Sequence, residues 1–495
     1  MERVLARNKR AYWSARANYL NLIRITPVNK IKLLTLNFFC AFIILYIAIL
    51  AWAQLTVTTP NCDNDFKTFS LSLVEHHHPY KINRYVRVIH VEKKDHKTTM
   101  QTSPPITAVN MNTPLMSLLL QQMLHISGKM NLDISFYVFL SLFCAGMSVA
   151  FLMQLFTISP RFFLPLLLLL WLSWPSLYNL KLGQISFLLL PLLSFSFLLL
   201  HRQAYCLMAI VLGLLASLKL FFLIFILFFV MKRQWRLSLL FLLSFAVFFF
   251  LPLIYFHWSD FHAFFMMASK RQLFLDRSTL PMNGSLLGFV MNTADLLHII
   301  PSQNQVTLSV SILCSYAIVR WLVYDYYFLQ TLPEYEDALR FSFLILIALF
   351  CSPLAWIYYF LFLIIPLVTI IQISQRYVLS AWFYVFLIDA LLLLYFPYTG
   401  KEVGILGFLL RFSVFMSLVC WLFALNIAAK AISNGVRVTN ALQQPKKMIG
   451  IFSCYALLSV TLLSFNYGMP YLLDPDKTPY LKSVAPVLWL PIKSA

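Results

Sequence analysis

Few groups in the sequence can do chemistry, and they lie far apart. Asp63 and Asp65 follow the first long apolar run, in the polar stretch Asn61-Cys-Asp-Asn-Asp-Phe66. A carboxylate at that edge can take a proton from an incoming hydroxyl; the competing reading is a pair of solvated loop acids, since acids are mostly exposed. His76-His77-His78-Pro79-Tyr80 follows. Its histidines are metal-ligand types, but neighbours in sequence converge poorly on one ion, and no Cys/His metal spacing occurs. Lys219 sits inside Leu-Leu-Ala-Ser-Leu-Lys-Leu-Phe-Phe. An ammonium at that depth is costly and calls for an anionic partner, unless it snorkels from near a helix end. Gln184, after Gly183, opens another apolar run, as a helix start or a polar wall. Lys270 and Arg271 precede Asn283-Gly-Ser285-Leu, and Ser352-Pro-Leu-Ala-Trp356-Ile-Tyr358-Tyr359 interrupts an apolar stretch. Pro353 breaks a helix there, and its aromatic neighbours also suit an interfacial belt.

The elements that must position these groups are membrane helices. The chain is 61% hydrophobic and 11% charged, with a mean hydropathy of +0.78, where a soluble domain carries roughly 25% charged residues. Runs such as 31–52, 237–256, 378–396 and 405–425 approach the length of a span, and only helices satisfy their backbone within the run. The expected fold is all-α and polytopic. The net charge of +20, from 38 Lys and Arg against 18 Asp and Glu, raises nucleic acid as a partner, but the positive charges cluster in short segments beside spans, as membrane topology demands. The eight cysteines form no disulfide framework.

Charge also sets the expected topology. Residues 1–30 form a basic cytoplasmic segment, 31–467 a single membrane domain, and 468–495 a tail outside. Outer loops cover about 55–130 and 255–305, the second with a re-entrant piece near 285–300. Counting spans exposes one anomaly. As one helix, 204–230 would put Lys232, Arg233 and Arg236 outside. Two short arms meeting near Lys219 return them inside. Arms of about 13 residues reach only about 20 Å, short of the roughly 30 Å hydrocarbon core, so the tip lies within membrane depth, beside protein or a water-filled cavity. The spans total about 11 to 13, with no visible internal repeat.

Taken in order, these pieces resemble glycosyltransferase family 87, of the GT-C class. The resemblance rests on Asp65-Phe66 with Pro79-Tyr80, Gly183-Gln184, Gly213 to Lys219, Arg233-x-Trp235-Arg236, Asn283-x-Ser285-Leu286, and Ser352-Pro353-x-x-Trp356. It runs from about residue 31 to 366. Tyr358 and Tyr359 stand where many members carry a His pair. The resemblance implies a GT-C-like bundle. It also implies transfer of a hexose, most often mannose, from a polyprenyl-phosphate sugar to an acceptor hydroxyl, with inversion at the anomeric carbon. Asp65 would be the general base, and Lys219, Lys270 and Arg271 would hold the departing phosphate. Asp63, Tyr80, Gln184, Asn283, Ser285, Trp356, Tyr358 and Tyr359 would line the substrate site. No cofactor and no metal is implied. The partners are the lipid-linked donor, a lipid or glycan acceptor and membrane lipids. The expected location is a bacterial inner membrane with the site facing the periplasm. Two other readings compete, a transporter or flippase of lipid-linked sugars and a glycan ligase of the same fold.

Overall fold

A backbone in hydrocarbon must bond within its own segment, and the computed structural model is accordingly built of helices. It describes residues 112–130, 133–155, 184–268, 283–332, 334–393 and 411–435, isolated positions between 167 and 180, and four short strands between 83 and 108. These fall in one unit, Ala53–Ala495. The strands make two antiparallel pairs, β1 (Asn83–Arg84) with β4 (Thr107–Ala108) and β2 (Ile89–Lys94) with β3 (Lys97–Thr102).

The helices are α1 (Pro114–Met130), α2 (Asp133–Leu155), α3 (Ser186–His201), α4 (Tyr205–Leu218), α5 (Ile226–Met231), α6 (Trp235–Phe250), α7 (Trp258–Ala268), α8 (Leu286–Leu296), α9 (Gln303–Tyr327), α10 (Glu336–Cys351), α11 (Ile364–Ser374), α12 (Ala381–Leu392) and α13 (Ser413–Ser433). Among the described residues four helical stretches are long and apolar enough to cross a membrane: Trp235–Ile254, Gln303–Thr331, Ile357–Ser374 and Ser413–Ser433. Shorter apolar helices surround them. The polytopic α-helical class follows. The expected total of about 11 to 13 spans also takes in runs outside the described residues. The stretch expected from the sequence to be a first outer loop, to about Met130, ends in a helix from Pro114 onward. Proline suits the first helical position, where its missing N–H costs nothing, and Thr113 Oγ1 accepts from the Met116 N–H at 3.4 Å. Leu115, Met116 and Leu120 are buried in the main core.

Two hairpins of one design form the centre. In the first, α4 stops at Lys219, whose backbone is extended (φ −146°, ψ 114°), and the chain resumes as a 3₁₀ helix over Leu220–Phe225 before α5. Lys232 Nζ then lies 5.1 Å from the ring centroid of Tyr205. One continuous helix would hold these residues roughly 40 Å apart, so the chain doubles back with Lys219 at its tip. The charge-based expectation of two short arms agrees with this geometry. Arg233 takes a left-handed turn (φ 55°) into α6. The close approach of α4 to α6 needs Gly213: a Cβ there would meet Ser244 Cβ at 2.7 Å and the Phe241 carbonyl at 2.8 Å.

The second hairpin runs from α10 through Ser352–Trp356 and a 3₁₀ helix over Ile357–Leu363 into α11. Its feet meet where Arg376 pairs with Glu334 and the Tyr377 hydroxyl donates to Glu334 Oε2 at 3.2 Å. Aromatic contacts join the two hairpins along their length, Phe225 to Phe341 (4.7 Å between centroids), Phe222 to Phe362 (5.2 Å) and Phe221 to Tyr359 (5.1 Å). At the feet, Lys232 Nζ lies 2.6 and 2.7 Å from the carboxylate oxygens of Asp337, which also accepts from the Tyr205 hydroxyl at 3.3 Å.

Candidate active site

The tips of both hairpins come together, and there six of the residues singled out from the sequence, Lys219, Asn283, Ser285, Trp356, Tyr358 and Tyr359, lie near one another. An extended residue between two helices frees backbone groups that must find partners away from water. Thr113 Oγ1 donates to the Leu218 carbonyl at 3.1 Å. Lys219 Nζ donates to Asn112 Oδ1 at 2.9 Å and stands 5.8 Å from the ring centroid of Tyr359. Among the described residues no carboxylate pairs with Lys219. Among these residues the ammonium is held by a neutral amide and an aromatic face, neither of which cancels its charge.

The second tip is fastened from outside. Asn283 and Trp356 form an isolated antiparallel bridge. Asn283 Oδ1 accepts from the Ala355 N–H at 2.8 Å and the Ser285 N–H at 3.2 Å, while the Ser285 hydroxyl donates to the Pro353 carbonyl at 3.2 Å. The Gly284 N–H donates to the Ala355 carbonyl at 2.9 Å. Ser285 also caps α8, accepting from the Gly288 N–H at 3.0 Å. The Asn-Gly-Ser-Leu and Ser-Pro-x-x-Trp stretches, read separately from the sequence, are two halves of one clamp. Both Asn283 and Ser285 are buried, so their visible work is to hold the loop.

The aromatics complete the tip. Tyr358 packs on Tyr359 at 4.7 Å and on Trp356 at 6.4 Å, and Tyr359 stacks on Phe362 at 6.1 Å. Both tyrosines are buried. Tyr359 faces Phe221 and Lys219 of the first hairpin, and neither tyrosine forms part of an exposed belt.

The depth of this tip follows from α9 and α10. Arg340 and Asp325 lock the two antiparallel helices level with each other. Eleven residues further along each (351 − 340 and 325 − 314), Cys351 and Cys314 are neighbours. Helix α9 then continues for a similar length to Gln303. The loop after Cys351 thus begins roughly 16 Å short of the far end of α9. That level falls well inside a helical stretch, Gln303–Thr331, that is long and apolar enough to cross a membrane.

Gln184 is buried; its N–H donates to the Asn179 carbonyl at 2.9 Å, and its carbonyl accepts from the Tyr137 hydroxyl. Asp63, Asp65, Tyr80, the triple histidine, Gly183, Lys270 and Arg271 lie outside the described residues. Among the described residues no cluster of His, Cys, Asp and Glu suits a metal.

The sequence reading passed over Asn112, Thr113 and Asp325. A proline after Asn-Thr, just before an apolar run, marks a helix start, and that was the one available signal for the first two. Asp325 is fully buried against Arg340, with Nε to Oδ1 at 2.7 Å and Nη2 to Oδ2 at 2.9 Å.

The model of glycosyltransferase family 87 matches residues 112–355. The matched region begins at the asparagine that holds Lys219 and ends inside the loop that Asn283 clamps. No curated protein and no solved structure matches the chain.

Proposed function

We propose that this chain, which belongs to glycosyltransferase family 87 by its match over residues 112–355 and is a membrane glycosyltransferase, takes its sugar from a polyprenyl phosphate. The reaction moves a hexose, mannose in the first instance, to an acceptor hydroxyl at the outer, periplasmic face of a bacterial inner membrane. The anomeric carbon inverts in a single displacement. The observation that carries the reading is Lys219 Nζ at a hairpin tip, held by Asn112 and the Tyr359 ring with no carboxylate beside it among the described residues. A lipid-linked phosphate reaches that level on its own chain, whereas a nucleotide sugar would have to leave water to do so.

In this reading the phosphate leaves as an anion, and Lys219 stabilises the charge as it develops. Lys270 and Arg271 add positive charge from the same loop that carries the clamp. Asp65 takes the acceptor's proton, and Asp63, Tyr80, Gln184, Trp356, Tyr358 and Tyr359 shape the pocket. Asn283 and Ser285 act on substrate through the loop they fasten. A leaving phosphate needs no metal to depart, and one carboxylate suffices for an inverting transfer.

The test is to incubate purified protein with labelled polyprenyl-phosphate mannose and a membrane lipid extract, and to follow a new glycosylated product. Replacing Asp65 by Asn should lower the rate about 10²–10⁴-fold. Near-normal transfer by that variant would remove Asp65 from the role. Release of polyprenyl phosphate without a glycosylated acceptor would overturn the transfer itself.

A further inference from the structure

Asn112 belongs to none of the motifs that drew attention in the sequence, yet its side chain ends on the ammonium of Lys219. An asparagine there does what a carboxylate would not: it fixes the direction of the ammonium while leaving its charge available. The opposite solution stands at the foot of the same hairpin, where Lys232 lies within 2.7 Å of both oxygens of Asp337. A lysine kept only for packing or for closing a hairpin is served by that second arrangement, since a charge out of water is costly until it is paired. The helix start that carries Asn112 is itself tied to the tip, because Thr113 bonds the Leu218 carbonyl at 3.1 Å. Asn112 and Lys219 thus keep a set distance whatever binds beside them.

We propose that Asn112 is a positioning residue, which aims Lys219 at the phosphate of the lipid-linked donor and preserves its full positive charge for that contact. The inference rests on the anion reading of Lys219 given above. It predicts that the identity of the acceptor atom matters less than its neutrality. An aspartate at 112 would keep the hydrogen bond and the shape, and would cancel the charge.

Binding of polyprenyl phosphate to the full-length protein in nanodiscs, followed by native mass spectrometry with polyprenol as the uncharged reference, tests this directly. The wild type should prefer the phosphate, and Lys219→Met should lose the preference. Asn112→Asp should weaken phosphate binding about tenfold or more, as expected when a new carboxylate faces an anion, and leave polyprenol binding unchanged. Asn112→Ala should fall between wild type and Asn112→Asp. A residue that merely braces the tip gives the reverse order, because aspartate retains the acceptor that alanine lacks; that order overturns the proposal. If the wild type shows no preference for phosphate, the anion reading fails and takes this inference with it. If the preference is present, depends on Lys219 and is unchanged by Asn112→Asp, the role of Asn112 alone is refuted.

Discussion

Arg340 and Asp325 meet through two parallel hydrogen bonds of 2.7 and 2.9 Å, with side chains only 1% and 0% exposed. Arg340 also reaches Glu336 at 2.6 Å and Asp337 at 3.5 Å. Through Asp337 the pair connects to Lys232 and Tyr205. The ionic group therefore fastens α9 and the feet of both hairpins at the end away from Lys219. Two charges taken out of water gain little over an apolar pair, but removing one leaves the other stranded. Arg340→Met or Asp325→Asn should each destabilise the protein by about 3–5 kcal/mol. The double variant Arg340→Met, Asp325→Leu should recover most of that loss. Thermal unfolding in detergent measures all three.

Lys219→Met should leave unfolding nearly unchanged, because no carboxylate among the described residues depends on that ammonium. Transfer should suffer instead. Loss of one preorganised charge contact to a developing anion costs about 10²–10³-fold in rate, to be read as kcat/KM for the lipid-linked donor beside the melting curve of the same preparation.

Asn283→Ala strips the acceptor from the buried Ala355 N–H and from the Ser285 N–H. An orphaned buried donor costs about 1–3 kcal/mol. Amide hydrogen exchange should rise over 352–356 well before it rises in α10 or α11. Unchanged protection at Ala355 would mean that the clamp is held by the Gly284 and Ser285 bonds alone.

Gly213→Ala drives a methyl group into Ser244 Cβ and the Phe241 carbonyl. Overpacking of this kind costs about 1–3 kcal/mol. Ser244→Gly in the same chain relieves the side-chain collision but not the one with the carbonyl, so the melting temperature should return only part of the way.

How much of this could be read in advance depends on whether a signal is local. The first hairpin was legible because three basic residues after Val230 must obey the same sidedness as the rest of the chain, and a single helix from 204 to 230 violates it. Pro353 announced the second break by removing a backbone donor. The 3₁₀ segments carried no such mark: Leu-Phe-Phe-Leu-Ile-Phe and Ile-Tyr-Tyr-Phe-Leu-Phe-Leu read as ordinary apolar helix. Contacts between distant residues were hidden for another reason. Nothing about Asn112 shows that it will meet a lysine 107 positions later, and nothing about Asn283 shows that it will accept from the Ala355 N–H, a backbone group that no sequence pattern names. The family resemblance found the right stretches of chain. It did not find that two of them, around 283 and 353, form one interlocked piece.

The change of helix type below Lys219 sets the reach of the returning chain. Helix α4 has 14 residues and the descending arm only 12, six of them 3₁₀. At about 1.5 Å per α residue and about 2.0 Å per 3₁₀ residue, each arm is roughly 21 Å long. An all-α return would stop about 3 Å higher, and Lys232 would hang above Asp337 instead of meeting it. The stretched turn is in effect a gauge block between the two ends of the hairpin. A residue gained or lost between Leu220 and Phe225 would shift the foot by about 2 Å, so errors of length at the Lys219 end would be felt first in the ionic cluster at the other.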